Sequence, residues 1–239
     1  MFKREHHQKI HKMLNLLNVE VLNKHSIYFG GGTACALLLN EYRESVDVDF
    51  LVDSIENYSA LRAMASNNSL GEIVLGEFNY AREIKADRYG IRTFVEIDGT
   101  PIRVEFVLEA RIKLSGEINP ITGVPTLCRN DLMAEKLLAN DDRGLDPATF
   151  NRDIIDLSYM IQAWGNIPKE VWSKVNAAYG KSVVTKYNNA IDMINVDGRL
   201  LSCMKSLVIP ASDAPNILNS LNKIGDAILD KTDNSGYAP

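Results

Sequence analysis

The feature that most constrains this chain is a run of glycines placed between a short apolar strand and a helix. Ile27 to Phe29 predicts a β-strand that stops at Gly30, and Ala34 to Leu39 predicts a helix. Glycines let a backbone approach a ligand closely, and the free N–H groups at a helix N-terminus favour an anion. The segment therefore predicts a phosphate-binding turn, although a plain turn followed by a helix cap gives the same pattern. The residues of this turn are Gly31, Gly32 and Thr33.

Two aspartates occupy alternate positions of the next predicted strand, Val46 to Val52. Because side chains alternate along a strand, Asp47 and Asp49 share one face, and the apolar residues Val46, Val48 and Phe50 share the other. Neighbouring carboxylates repel each other unless a cation lies between them, and hard divalent cations prefer oxygen ligands. The pair therefore predicts a Mg²⁺ site. An exposed sheet edge explains an isolated Asp-x-Asp strand as well.

The two motifs together resemble a known superfamily. The combined pattern is Gly31-Gly32-Thr33 followed by Arg43-x-Ser45-x-Asp47-x-Asp49-Phe50. It is similar to the first motif of the DNA polymerase β-like nucleotidyltransferases, and in detail it resembles their AbiEii/AbiGii toxin group. The resemblance implies an α+β fold, with a mixed sheet backed by helices and followed by a C-terminal helical bundle. It also implies transfer of a nucleotide from a nucleoside triphosphate to an acceptor hydroxyl, with Arg43 among the residues that bind the nucleotide.

A third acidic residue is predicted on a neighbouring strand. Ile91 to Leu108 predicts a β-hairpin, in which alternation places Arg103 and Glu105 on one face. In the polymerase β-like pattern, a third carboxylate completes the metal site or takes the proton from the attacking hydroxyl. By resemblance Glu105 takes that position, where an aspartate is usual. An ordinary solvated pair of Arg103 and Glu105 explains the same spacing equally well.

The predicted helix from Arg129 to Asp142 carries a lysine in an apolar stripe. Such a lysine is expensive to bury without an anion, although a snorkelling side chain is the commoner explanation. Lys136-x-x-Ala139-x-x-x-Arg143, followed by Arg152-Asp153-x-x-Asp156, resembles the later motifs of the AbiEii group. The resemblance implies that Lys136 neutralises phosphate charge and that Asp153 lines the pocket and orients the lysine. The spacing of Arg152 and Asp156 also predicts an ion pair on a helix surface.

The strand signals fade from Leu127 onward, and this predicts two domains: a catalytic domain over residues 1–126 and a helical domain over residues 127–239. Lys113 to Pro125 is predicted to be a loop. Because Lys136 and Asp153 belong to the first two predicted helices of the second domain, the active site is expected in the cleft between the domains. The predicted helices are Arg129 to Asp142, Pro147 to Trp164, Pro168 to Tyr179, Val183 to Met193 and Ala214 to Leu229.

The net charge of −5 excludes a global basic field of the kind that attracts nucleic acid. An RNA acceptor must therefore bind to a local patch. The best candidate is the first predicted helix, which is amphipathic, although a merely solvated basic face accounts for it as well. Its basic residues are Lys3, Arg4, His6, His7, Lys9, His11 and Lys12.

Three widely spaced cysteines predict buried thiols in a reducing compartment: Cys35, Cys128 and Cys203. The basic N-terminus leads to an amphipathic helix, so no signal peptide is expected, and no window is apolar enough to span a bilayer. These observations predict a cytoplasmic protein.

The family resemblance implies a toxin of a toxin–antitoxin or phage-defence pair that modifies an RNA, such as the acceptor end of tRNA, and that has a cognate antitoxin. Two alternatives stay open at this point. One is an antibiotic nucleotidyltransferase with an acidic cleft for a cationic small molecule. The other is a non-catalytic nucleotide-binding or interaction module. The small-molecule alternative rests on an acidic run near the aspartate pair, Glu41, Glu44, Asp53 and Glu56.

Overall fold

The computed structural model of the chain describes residues 2–225 and residue 228. It contains two compact units, whose bounds are Met1–Leu132 with Leu207–Ile209, and Met133–Ser206 with Pro210–Pro239. The first unit, called here the sheet unit, holds the strands that the structure describes. The second unit, called the helical unit, holds α-helices and two short 3₁₀ turns in its described part. No helix within residues 2–225 and 228 has both the length and the apolar run needed to cross a bilayer.

The sheet unit combines a mixed sheet with four α-helices in its described part. The helices are α1 Glu5–Leu14, α2 Val19–Lys24, α3 Gly31–Leu38 and α4 Ile55–Met64. The strands are β1 Ile27–Gly30, β2 Val48–Val52, β3 Asn79–Ala86, β4 Gly90–Ile97, β5 Thr100–Leu108, β6 Gly116–Ile118 and β7 Pro125–Leu127. Their order in the sheet is β3-β4-β5-β2-β1-β7-β6. The pairs β2–β5 and β1–β7 are parallel, and the other neighbours are antiparallel.

Three buried phenylalanines fix the register of the central strands. Phe29 of β1, Phe50 of β2 and Phe106 of β5 are registered neighbours and fully buried. The rings of Phe50 and Phe106 stack with centroids 5.1 Å apart, and the centroids of Phe29 and Phe50 are 5.5 Å apart. A shift by one residue would turn all three rings to the opposite face, so this apolar row holds the register firmly. The adjacent row, which faces the other way, consists of Gly30, Asp49 and Glu105.

The predicted strands occur, with some differences at their ends. Strand β2 begins at Val48, two residues later than predicted, and Val46 is 47% exposed, so its predicted place on the core face is wrong. The sequence pattern does not identify β3, β6 or β7. Strand β3 is largely exposed and β6 and β7 have three residues each, so none has a clear apolar alternation. The predicted loop from Lys113 to Pro125 contains β6.

The helical unit follows most of the predicted helices. Helix α6 begins at Arg152 rather than Pro147, because Phe150 and Asn151 have φ values of 54° and 50°, outside the helical region. The sequence pattern does not identify α9. Helix α10 ends at Ser220, and the last residue of the predicted helix, Leu229, lies outside the described residues. The helices are α5 Arg129–Arg143, which begins in the sheet unit, α6 Arg152–Trp164, α7 Lys169–Tyr179, α8 Ser182–Ile194, α9 Arg199–Ser206 and α10 Ala214–Ser220.

The core of the helical unit includes the indole of Trp172 and the ring of Tyr187, which meet edge to face with centroids 5.2 Å apart. Burial raises the pKa of the Tyr187 hydroxyl. After α10 the chain is held by the Asn188 amide, which donates to the carbonyl of Ile224 at 2.8 Å and accepts from its N–H at 2.9 Å. Apolar packing and this amide clamp therefore stabilise the end of the described chain.

Candidate active site

The glycine turn lies directly against the Asp49 carboxylate. Strand β1 ends at Gly30, and α3 begins at Gly31, whose φ of +68° is in the left-handed region. A Cβ atom added to Gly31 would overlap the Asp49 carboxylate. Glycine at this position therefore serves two purposes: it adopts the positive φ, and it lets the carboxylate approach the backbone at the N-terminus of α3.

Arg43 lies against the next residue of the turn. A Cβ atom added to Gly32 would overlap the Arg43 guanidinium, and this arginine is only 3% exposed. Its Nη1 donates to the carbonyl of Glu44 at 2.8 Å. The structure therefore places Arg43 at the turn as a buried cation beside Gly32, and its predicted contact with the nucleotide stays a prediction. Its positive charge lies next to Gly32 of the turn.

Thr33 connects α3 to the segment that carries Asp47. Its hydroxyl is buried, donates to the carbonyl of Asp47, and lies 2.8 Å from the Ser45 hydroxyl. The sequence analysis predicts Thr33 to be part of the phosphate-binding turn. In the structure the N-cap position of α3 is Gly30, and the Thr33 hydroxyl holds the Asp47 backbone in place.

Asp47 lies just before β2 and stays accessible to solvent. Its side chain is 43% exposed, and its Oδ2 lies 3.8 Å from Nη1 of Arg103. Asp49 therefore lies within strand β2, and Asp47 lies one residue before its start. Both carboxylates lie at the same end of the strand as the glycine turn, because Asp49 is registered with Gly30.

Glu105 lies beside Asp49 on the neighbouring strand. The two residues are registered partners in the parallel pair β2–β5, so their side chains share a face. Oε1 of Glu105 forms ion pairs with two arginines: it lies 2.8 Å from Arg103 Nη2 and 2.9 Å from Arg92 Nε. Both explanations of this residue therefore hold at the level of geometry: it is a third acid beside Asp49, and it is paired with Arg103.

Arg92 is the residue of this group that sequence reasoning misses. It is the registered partner of Glu105 on β4, and its Nη1 also bonds Oδ2 of Asp87 at 2.9 Å. The hairpin between Ile91 and Leu108 is predicted correctly, and counting back from its turn would have placed Arg92 opposite Glu105. That signal depends on the two-residue turn at Asp98 and Gly99 being right.

Carboxylate oxygens are the donors that the site offers to a divalent metal ion. Within residues 2–225 and 228, no group of three or more histidine, cysteine, aspartate or glutamate side chains is arranged to hold a metal. Asp47 and Asp49 remain as a pair of oxygen donors beside the glycine turn. Mg²⁺ is usually bound by one or two carboxylates together with substrate phosphates, and this pair fits that arrangement.

Behind the site, His7 of α1 is fully buried, so its predicted place on a solvated basic face is wrong. Its Nδ1 lies 2.9 Å from Oε1 of Glu41, and its Nε2 accepts from the N–H of Ser45 at 3.2 Å. Burial lowers the pKa of His7, and the Glu41 carboxylate only partly opposes this effect. The neutral imidazole, with its proton on Nδ1, therefore supports the Ser45 segment that Thr33 also contacts.

Two of the four acids in the acidic run near the site are engaged by backbone N–H groups. Glu41 is buried and accepts from the N–H groups of Lys3 and Arg4 as well as contacting His7. Asp53 accepts from the N–H of Leu114 at 2.8 Å. These carboxylates are used inside the sheet unit, so the main sequence support for a cationic small-molecule substrate is weakened.

In the helical unit, Lys136 forms a buried ion cluster. Its Nζ lies 2.6 Å from Oδ2 of Asp156 and 3.1 Å from Oδ1 of Asp153, and both acids are buried. Arg143 adds two hydrogen bonds to Asp153, of 2.8 and 3.0 Å. Asp156 is 0% exposed, so its predicted surface ion pair with Arg152 is wrong. Burial opposes ionisation of Asp153, but Lys136 and Arg143 outweigh it, and the pKa of Asp153 falls below its ordinary value.

The fold matches solved nucleotidyltransferases. A candidate nucleotidyltransferase from H. pylori has a TM-score of 0.52 at 17% identity, over 90% of this chain and 91% of that chain. JHP933 from Helicobacter pylori has a TM-score of 0.48 at 18% identity, over 92% and 91%. MenT4, a nucleotidyltransferase toxin from Mycobacterium tuberculosis, has a TM-score of 0.45 at 15% identity, over 90% and 89%. The first similarity confirms the predicted α+β nucleotidyltransferase fold.

No curated protein shows significant similarity to the chain. A family model does match it, from residue 15 to residue 237, and that model describes the nucleotidyl transferase AbiEii toxin of type IV toxin–antitoxin systems. The resemblance carried by the glycine turn and the two aspartates is thereby confirmed over nearly the whole sequence. The chain belongs to the AbiEii family of nucleotidyltransferase toxins.

Proposed function

We propose that the chain transfers a nucleoside monophosphate from a nucleoside triphosphate to a hydroxyl of RNA, with Mg²⁺ as cofactor and the acceptor end of tRNA as target. A cognate antitoxin, implied by the family, would restrain this activity, and the proposed location is the cytoplasm. The observation that carries the proposal is the contact between Gly31 and the Asp49 carboxylate. This contact supports the proposal that the metal ion and the triphosphate bind at the same turn.

Asp47 and Asp49 would hold Mg²⁺ together with the triphosphate. When bound, the ion would supply positive charge to the phosphate oxygens and stabilise the charge that develops during transfer. The N–H groups of the glycine turn and the N-terminus of α3 favour the same anion, and Arg43 adds its charge from beneath. The acceptor hydroxyl attacks the α-phosphate in line, and pyrophosphate leaves.

The residues of the chain act mainly by positioning. Thr33 holds the backbone of Asp47 and contacts the Ser45 hydroxyl. His7, which is paired with Glu41, accepts from the N–H of Ser45. Phosphoryl transfer needs little covalent chemistry from the protein, so fixed ligands and fixed charges account for most of the rate. This explains why the site needs no nucleophilic side chain.

The proposed roles of Lys136 and Asp153 come from the family motif and stay predictions. The 3.1 Å contact between them supports the part of the proposal in which Asp153 orients the lysine. The shorter contact of Lys136 with Asp156 supports a structural role in addition. Glu105 also stays a proposed site residue.

The test is incubation of the protein with each α-labelled nucleoside triphosphate, Mg²⁺ and total tRNA. Label in tRNA is the expected result. Label only in protein would redirect the proposal to self-modification or protein targets, and label in neither would contradict transfer to RNA. Asp49→Asn should give no label. Asp192→Asn is the matched control, because Asp192 is an exposed aspartate of the helical unit paired only with a surface lysine in its described contacts.

A further inference from the structure

We propose that Arg103 supplies the positive charge that a second divalent cation would otherwise bring, so that this site works with one divalent cation, held by Asp47 and Asp49. The inference rests on the proposed function, because it concerns the charges around the same transferred phosphate. It also assigns Glu105 a part different from that of a metal ligand: Glu105 anchors the arginine.

One guanidinium group spans two of the three acids. Nη2 of Arg103 lies 2.8 Å from Oε1 of Glu105, and Nη1 lies 3.8 Å from Oδ2 of Asp47. Arg103 and Glu105 are two residues apart on β5, so both side chains project from the same face of the strand. The strand therefore delivers a fixed positive charge between the acids of neighbouring segments.

Glu105 is engaged by a second cation as well. Arg92 binds the same oxygen, Oε1, at 2.9 Å, and is itself held by Asp87. The Glu105 side chain is 13% exposed, so these contacts are partly shielded from water. A divalent cation at Glu105 would have to approach two guanidinium groups of like charge, and this repulsion disfavours a metal ion there.

Asp49 is the registered partner of Glu105 on the neighbouring strand. Its carboxylate lies against Gly31, at the turn where the phosphates are proposed to bind. Mg²⁺ is usually held by one or two carboxylates together with substrate phosphates, and Asp47 and Asp49 would supply those carboxylates here. In this row of the sheet, Glu105 is the acid that Arg92 and Arg103 contact.

An arginine differs from a metal ion in ways that matter for the reaction. Its charge is permanent at any accessible pH and does not depend on the concentration of free cation. Its planar fork also donates in fixed directions to oxygen atoms. A site with one metal ion and one arginine would therefore reach full occupancy at lower metal concentration than a site that needs two metal ions.

The test is the stoichiometry of Mn²⁺ binding, measured by electron paramagnetic resonance of free Mn²⁺ in the presence of a non-hydrolysable triphosphate analogue. We expect one Mn²⁺ per chain in the unmodified protein. Glu105→Gln should retain that ion with affinity changed by no more than about 2-fold, whereas Asp49→Asn should weaken it by more than about 10-fold. Thermal unfolding of each variant checks that it is folded.

Arg103→Gln provides the second measurement. Loss of the guanidinium should slow transfer by on the order of 100-fold, as for removal of a group that stabilises developing charge. It should also open a second, weaker Mn²⁺ site, so that raising the Mn²⁺ concentration restores part of the rate. Arg82→Gln is the matched control, because it removes one positive charge from the same sheet, where Arg82 covers the Phe94 ring. It should change neither stoichiometry nor rate.

Different outcomes would contradict this inference and the proposed function. Two Mn²⁺ ions in the unmodified protein, with one lost in Glu105→Gln, would overturn this inference and leave the proposed function intact. An Arg103→Gln variant with unchanged rate or without rescue by Mn²⁺ would also overturn it. A chain that binds no Mn²⁺ even with the triphosphate analogue would contradict the proposed function, and the inference with it.

Discussion

Two clusters of acids and bases, one in each unit, use the same chemistry in opposite environments. The sheet cluster consists of Asp47, Asp49, Glu105, Arg92 and Arg103, and the side chains of Asp47 and Arg103 are more than two-fifths exposed. The helix cluster consists of Lys136, Arg143, Asp153 and Asp156, and its lysine and both acids are at most 5% exposed on their side chains.

The difference shows what burial does to a charged group. An ion pair in water contributes little to stability. Each member can therefore leave its partner and bind a ligand at a small cost in free energy. Inside the protein, the partners have already lost their hydration, and removal of one leaves an uncompensated charge. The sheet cluster is therefore suited to bind and release a substrate, whereas the helix cluster is suited to hold helices α5 and α6 in place.

The largest expected effect is on transfer by the sheet cluster. Asp49→Asn should lower the rate by about 1,000-fold or more, because a ligand of the proposed metal ion is lost. The melting temperature should stay the same or rise slightly, since repulsion between neighbouring acids is relieved. An assay with labelled nucleotide measures the transfer rate, and thermal unfolding measures the melting temperature. Asp47→Asn should behave alike, and full turnover in either variant would refute the metal assignment.

The next effect is on the stability of the helix cluster. Lys136→Met should lower the free energy of unfolding by about 3–5 kcal/mol, because Asp153 and Asp156 would share a buried site with one cation fewer. Urea unfolding measures the change.

Lys205→Met is the matched control for this variant, since Lys205 is an exposed lysine of α9 in the same unit. It should change stability by no more than about 0.5 kcal/mol. If the two variants were equally stable, the comparison between clusters would fail. The family role of Lys136 would then be favoured, with weakened affinity for the triphosphate and unchanged affinity for the acceptor.

A smaller effect is the acid sensitivity of the helix cluster. The pKa of Asp153 is lower in the folded protein than in the unfolded chain, where it is about 3.9. Its ion pairs therefore contribute stability above that pH, and the contribution is lost as the pH falls through the folded pKa. Urea unfolding between neutral pH and about pH 3 should show the decline. In Asp153→Asn the decline should be shallower; an equal slope would show that other groups cause it.

The smallest effect is expected behind the sheet cluster. Because burial lowers the pKa of His7, the unfolded chain binds a proton more readily than the folded protein does. Stability should therefore decrease as the pH falls from about 6.5, the ordinary histidine value, through the lower folded pKa. Protonation of Nε2 would also remove the acceptor of the Ser45 N–H.

His7→Gln should make the melting temperature less dependent on pH in this range. Equal profiles for the variant and the unmodified protein would show that His7 does not titrate with unfolding.

Local patterns predicted the parts of the site that depend on near neighbours. A strand that ends at glycine, a helix after it and alternating aspartates are visible within about 25 residues, and in the structure Gly31 lies against the Asp49 carboxylate. The predicted helical bundle is also confirmed. Its helices are predictable because their apolar residues recur with the helical period. Short or exposed strands such as β3 and β6 lack that signal.

The sequence by itself determined the fold class, the family and the set of acids, since periodicity and glycine placement are properties of contiguous residues. Only the tertiary structure decided which partners those acids have. Arg92 meets Glu105 because the buried row of Phe29, Phe50 and Phe106 fixes the strand register. Burial of His7 and of the helix cluster depends likewise on packing between segments that are distant in the sequence. The sequence of one segment does not show which other segments pack against it.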